Sequence, residues 1–199
     1  MSSQQRPRDR AKTRKEILDA AWDLVSEEGA EVSLARIAAT VGISRQSIYL
    51  HFGSRGGLLV ALVRRADERF EIRERMQAAL SVPDPGRRLD RVVTVWIEFV
   101  LLIRPVAVDL IRLRATDADA REAWEDRMDE LRDWLLVFVK TLRRDDALAP
   151  EWSLKEAADF LWAVSSVQLF GLFVDDCGWS ERRATTVLRR TLAGALLGS

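Results

Sequence analysis

Three consecutive side chains of this 199-residue sequence, Arg45, Gln46 and Ser47, carry hydrogen-bonding groups that suit the edges of nucleic-acid bases. An arginine can donate two bonds to O6 and N7 of guanine, and a glutamine can pair with N6 and N7 of adenine. They open a short predicted helix after the cap residue Ser44. There, unpaired backbone N–H groups and the positive end of the helix dipole also favour phosphate. In isolation the same residues are more simply read as polar groups capping a helix, so their surroundings decide.

Those surroundings are two short predicted helices around a glycine. Ser33 is a candidate N-cap, followed by Leu34, Ile37, Ala38 and Val41 at helical spacing; Gly42 ends this helix, and the next contains Ile48, Tyr49 and Phe52. A small residue four before the glycine and an aliphatic residue six after it are the spacing of a helix-turn-helix. Ala38 lets the second helix cross closely, Gly42 can adopt the left-handed conformation that redirects the chain, and Ile48 packs back between the two helices. Arg45, Gln46 and Ser47 are thereby left at the exposed start of the recognition helix, where the major groove is read.

The rest of the chain reads as helical too. Its five prolines, Pro7, Pro83, Pro85, Pro105 and Pro150, leave long intervals of helical periodicity, and no alternating pattern suggests a strand. Helices are predicted at about 9–28 (stopped by Gly29), 58–80, 86–103, 105–115, 117–144, 154–176 and 180–197, besides the two short ones, about nine in all. The Pro- and Gly-containing stretch 81–86 is the clearest break.

Lys and Arg number 31 against 31 Asp and Glu, so the formal net charge is zero. The sum conceals an asymmetry: the first fifteen residues hold Arg6, Arg8, Arg10, Lys12, Arg14 and Lys15 against Asp9 alone. Such a charge run is either a solvated tail or a disordered arm that lies along DNA phosphates. The single cysteine, Cys177, and single histidine, His51, argue against disulfides and Cys/His metal clusters, and neither a metal nor a cofactor is expected. The longest apolar runs, such as 134–139, are too short to span a bilayer, no secretory signal is evident, and a cytoplasmic protein without membrane partners is expected. Gly-rich phosphate loops and Gly-x-Ser-x-Gly elbows are missing from the sequence, which argues against an enzyme.

Residues 13–59 resemble the DNA-binding domain of the TetR family of transcriptional regulators. The resemblance rests on Thr13-Arg14, Ile17-Leu18, Ala20-Ala21, Gly29, Ile37-Ala38, Val41-Gly42-Ile43-Ser44, Tyr49-x-His51-Phe52 and Leu58-Leu59. It implies phosphate contacts from Ser33, Ser44, Tyr49 and His51, and base reading by Arg45, Gln46 and Ser47. Arg55 stands where the family usually has lysine, which keeps the charge for a phosphate. Gln46 replaces a residue that is often small, and Leu50 one that is often polar; both bear on which operator is read. His51 can instead be an interhelical hydrogen-bonding residue, and Tyr49 a core aromatic whose hydroxyl reaches solvent.

An all-α fold with two domains follows: a DNA-binding domain with its basic arm over 1–56, and a ligand-sensing and dimerisation domain over 57–199. The helix near 154–176 is apolar over most of its circumference and the helix near 180–197 carries one apolar stripe; together they suit a two-fold homodimer, as the resemblance also implies. Trp96, Phe99, Trp134, Phe138 and Trp162, with Gln168 as a polar group, are candidates for a ligand pocket or for ordinary core. The expected function is a transcriptional regulator, most simply a repressor, that binds a palindromic operator as a dimer and is released by a small apolar or amphipathic effector. The alternative is a helical homodimer that binds a small molecule without specific DNA binding.

Overall fold

Five helix starts are fixed by a serine whose hydroxyl accepts a backbone N–H of the first turn: Ser33 from Arg36, Ser44 from Ser47, Ser153 from Glu156, Ser166 from Leu169 and Ser180 from Arg183. Each such cap contributes about 1 kcal/mol relative to alanine. The computed structural model describes residues 7–28 and 32–198. Among these the α-helices are α1 (Pro7–Glu28), α2 (Leu34–Val41), α3 (Arg45–Phe52), α4 (Arg55–Phe70), α5 (Ile72–Leu80), α6 (Pro85–Leu113), α7 (Ala118–Arg144), α8 (Leu154–Val164), α9 (Val167–Gly171) and α10 (Glu181–Leu196). A π-helical turn, Leu172–Asp176, follows α9. Strand pairing among the described residues is limited to one antiparallel bridge between Leu148 and Leu197. The all-helical expectation is met.

The chain divides into two compact units, the first comprising the described residues up to Ala66 with Pro105–Glu125, the second Asp67–Arg104 with Asp126 onward. Residue 56, the domain boundary expected from the sequence, lies inside α4. In the first unit α1 packs on α2 and α3. Its interior is built from Ile17, Ala21 and Leu24 of α1, Ile37 and Ala38 of α2, Ile48 of α3, Leu58 and Leu62 of α4, Leu110 of α6 and Ala120 of α7. In the second unit Phe99, Phe138, Leu161, Phe170 and Leu192 are fully enclosed. Each of the three guanidinium nitrogens of buried Arg88 is engaged there: one pairs with Asp145 at 2.6 Å and the others donate to the carbonyls of Val82 and Pro83, both at 2.8 Å, pinning the turn before α6. Cys177 is exposed, and no group of three potential metal ligands occurs among the described residues.

Three expected helix boundaries are corrected. The helix expected over 58–80 begins at Arg55 and is interrupted at Glu71, which adopts φ 52°, ψ 44°. Across that break Phe70 meets Phe99 with ring centroids 5.5 Å apart and Arg75 lies 3.9 Å over the Phe70 ring, contacts that a left-handed glutamate does not advertise in sequence. Pro105 does not separate two helices; it lies inside α6, which forgoes the hydrogen bond that the Leu101 carbonyl would otherwise accept. The stretch 154–176 is broken at Ser165 and Ser166: the Ser165 hydroxyl donates back to the Leu161 carbonyl at 2.6 Å, and Ser166 caps a new helix. By length and hydropathy this stretch is the one candidate among the described residues for crossing a bilayer, but it is interrupted at its centre and ends on Asp175 and Asp176. The stop expected at Gly29 and the first six residues of the basic arm lie outside the described residues. The arm from Pro7 onward is helical, as the first turns of α1.

Candidate nucleic-acid interface

The turn between α2 and α3 is built as its spacing requires. Gly42 takes φ 74°, ψ 32°, a region open to glycine and strained for other residues, and the Ile43 N–H bonds to the Ala38 carbonyl at 2.9 Å. Ser44 then caps α3, accepting the Ser47 N–H at 3.1 Å with the two hydroxyls 3.4 Å apart. Ile48 is wholly buried. Arg45 and Gln46 are exposed and Ser47 half-buried, so the three expected base-reading residues share the outer start of α3. Further along, Tyr49 is 41% and Leu50 70% exposed, so Tyr49 reaches the surface while part of it stays covered. Ser33, also exposed, sits at the start of α2.

Two α1 arginines meet the other end of α3. Arg10 donates to the Leu50 carbonyl at 3.1 Å, and the Arg14 guanidinium lies 4.9 Å from the centre of the Phe52 ring. A cation belongs here, because the terminal carbonyls of a helix carry partial negative charge. His51 is half-buried beside them. Burial, then the charges of Arg10 and Arg14, hold its imidazole below the usual value, so it is neutral at pH 7. Its Nδ1 is enclosed without a hydrogen-bond partner among the described residues. Sequence reasoning counted Arg10 only as charge in an arm, and Arg14 as that and as part of the family resemblance, without placing either against α3; their spacing of four, one helical face, was the available signal.

Arg55 is placed differently. Its guanidinium pairs with Asp109 at 2.5 Å and donates to the Val32 carbonyl at 2.9 Å, within the first unit. The adjacent Gly56 approaches Ala120 so closely that an added Cβ would lie 2.7 Å from the alanine Cβ and 2.9 Å from its backbone nitrogen. The segments around Asp109 and Ala120 thus brace the start of α4, and no motif pointed to them. Together the caps, the exposed donors and the arginines give α3 a surface able to hydrogen-bond bases and attract phosphate.

Comparison with known proteins agrees with this geometry. Residues 17–62 match the family model described as bacterial regulatory proteins, tetR family. The HTH-type transcriptional repressor BepR of Brucella suis biovar 1 (strain 1330) is 32% identical over 163 residues, covering 77% of this chain and 77% of that protein. The chain belongs to the TetR family. It is therefore a transcriptional regulator by family. The fold of this TetR-family chain is shared by a putative transcriptional regulator from Saccharomonospora viridis solved in complex with choline (TM-score 0.74, 21% identity, 95% of this chain and 100% of that one). It is shared also by NalD, the secondary repressor of the MexAB-OprM multidrug efflux pump in Pseudomonas aeruginosa (TM-score 0.67, 22% identity, 96% and 98%).

The expected pocket residues of this TetR-family chain are only partly brought together. Trp96 and Trp134 line one apolar cavity with Met76, Val92, Leu135 and Leu161 among others. Its volume is about 10 Å³, room for one water and far below a ligand-sized cavity. Phe99 and Phe138 are enclosed core residues outside that lining. Trp162 lies under Arg132, 4.1 Å from its ring centre, and Gln168 is exposed. Ser165 is the polar group at the cavity, and its carbonyl accepts the Trp96 indole N–H at 2.9 Å.

Proposed function

We propose that this TetR-family regulator is a cytoplasmic repressor that binds a palindromic operator as a homodimer through α3 and is released by a small apolar or amphipathic effector. The observation that carries the reading is the pairing of a fully buried Ile48 with exposed Arg45 and Gln46 on an eight-residue helix. That division suits a helix seated on its own unit by one face and read by DNA on the other. Arg45 and Gln46 meet bases, with Ser47 at the edge; Ser33, Ser44, Tyr49 and His51 meet phosphates. Arg55 is more useful as a brace, since Asp109 and Val32 already engage it.

The dimer is assigned to the surfaces of α8 to α10, where Leu172 is 53% exposed. The description of BepR as a repressor supports repression here, and the choline complex supports a small-molecule effector. The cavity beside Trp96 and Trp134 is the place for that effector, and it must widen to admit one.

The test is titration of labelled duplex carrying the chain's own upstream region. Binding should exceed that to scrambled duplex and fall as salt rises. Arg45→Ala should relax sequence preference by about 1–3 kcal/mol per lost bidentate contact. Equal affinity for scrambled DNA would reject the proposal in favour of a dimer that only binds a small molecule.

A further inference from the structure

We propose that Leu50 is a specificity-determining residue that reads the C5-methyl group of a thymine in the major groove, about two base pairs from the base met by Gln46. The inference rests on the reading of α3 as the groove-binding helix and assigns a contact which that reading leaves open.

Successive side chains of an α-helix are turned by about 100°. In α3 the inward direction is marked by Ile48, wholly buried, and by the half-buried His51 and Phe52. The direction opposite falls between Gln46 and Leu50, four residues apart and both exposed. Arg45 and Tyr49 lie to one side of that line, Ser47 and His51 to the other. The side chains projecting farthest from the body are therefore one amide and one aliphatic group.

Leu50 is the most exposed large apolar side chain described in the chain, at 70%. An exposed leucine is ordinary on a protein surface. This one, however, stands one turn beyond Gln46 on a helix without an acidic residue, with Arg45 at its start and Arg10 and Arg14 against its end. The complementary partner is a polyanion whose groove offers a hydrocarbon group. In duplex DNA the major-groove edge offers one, the thymine methyl. A-form RNA keeps its major groove too narrow for side chains. Four residues of helix advance about 6 Å, close to two base-pair steps.

The experiment uses the full chain and a duplex that it enriches from a random pool. Affinity is compared for that duplex and for the same duplex with every thymine replaced by deoxyuridine, which removes only the methyl groups. The wild type should prefer the thymine duplex by about fourfold per contacted methyl, the factor matching ~0.8 kcal/mol per buried carbon. Leu50→Ala should bind both duplexes equally, and Leu50→Met should restore the preference. The proposal is overturned if Leu50→Ala keeps the wild-type ratio, or if the wild type shows no ratio. If the chain enriches no sequence at all, the groove-binding reading of α3 fails and this inference falls with it. Thermal unfolding of Leu50→Ala should match the wild type, because the side chain supports no core.

Discussion

Arg55 and Asp109, fifty-four positions apart, form an ion pair at 2.5 Å while the same guanidinium holds the carbonyl of Val32, next to the Ser33 cap of α2. The arginine side chain is 25% and the aspartate 13% exposed. Removing one partner of a fully buried pair costs about 3–5 kcal/mol, and partial exposure lowers this, so Asp109→Asn should destabilise by about 1–3 kcal/mol. The midpoint of urea unfolding measures it. DNA affinity should fall together with stability, whereas a direct phosphate role for Arg55 would leave DNA affinity intact in Asp109→Asn.

Gly56 and Gly57 should not tolerate alanine. The new Cβ would meet Ala120 at 2.7 Å in one case and the Phe52 carbonyl oxygen at 2.0 Å in the other. Neither an alanine Cβ nor a backbone carbonyl has a rotamer by which to yield, so each variant should lose about 1–3 kcal/mol, read as a drop in the urea midpoint. Unchanged midpoints would show that the α4 start is looser than described.

If His51 meets a phosphate as proposed, DNA binding should depend on pH. Its folded pKa lies below 6.5, so the unfolded chain takes up a proton that the folded one resists, and stability falls as pH drops below 6.5. A phosphate beside the ring favours the cation and reverses this preference. Complex formation should therefore take up a proton, with affinity rising between pH 7 and 5.5 and His51→Gln flattening the profile. A purely interhelical histidine would give no such rise.

Asp145 sets part of the acid limb. Hydrogen bonds from Arg144 and Arg88 hold its carboxyl at about 2, against an ordinary 3.8. The stability it contributes is present above pH 3.8 and is lost as pH falls toward 2. Asp67 works in the opposite sense: burial raises its pKa despite Arg127, so acid relieves it. Acid titration followed by circular dichroism should show a shallower loss between pH 4 and 2 for Asp145→Asn.

The legible part of the molecule was the part governed by local rules. Ser33 and Ser44 act as caps because a hydroxyl beside a helix start finds the same N–H groups in almost any context. Gly42 and Ile48 were readable for the same reason, one by its backbone freedom and the other by the period of a helix. What escaped was decided at long range. Glu71 is left-handed in the company of Phe70, Phe99 and Arg75, and nothing in a glutamate announces that. Pro105 suggested a boundary by its chemistry, yet α6 continues through it. Aromatic residues on apolar faces were equally compatible with cavity and core, and Trp96 and Trp134 differ from Phe99 and Phe138 only in how neighbouring helices happen to pack.

The bracing of Arg55 and Gly56 by Asp109 and Ala120 limits how this regulator can be cut and recombined. The first compact unit is not a contiguous stretch: the family match ends at residue 62, while Asp109, Ala120 and Trp124 complete the interior from far downstream. A peptide excised after Ala66 would present its inner faces to water. A chimera that transplants the DNA-reading head onto another regulator's body must therefore carry residues 105–125 with it, or recreate their small residue and their carboxylate at the junction.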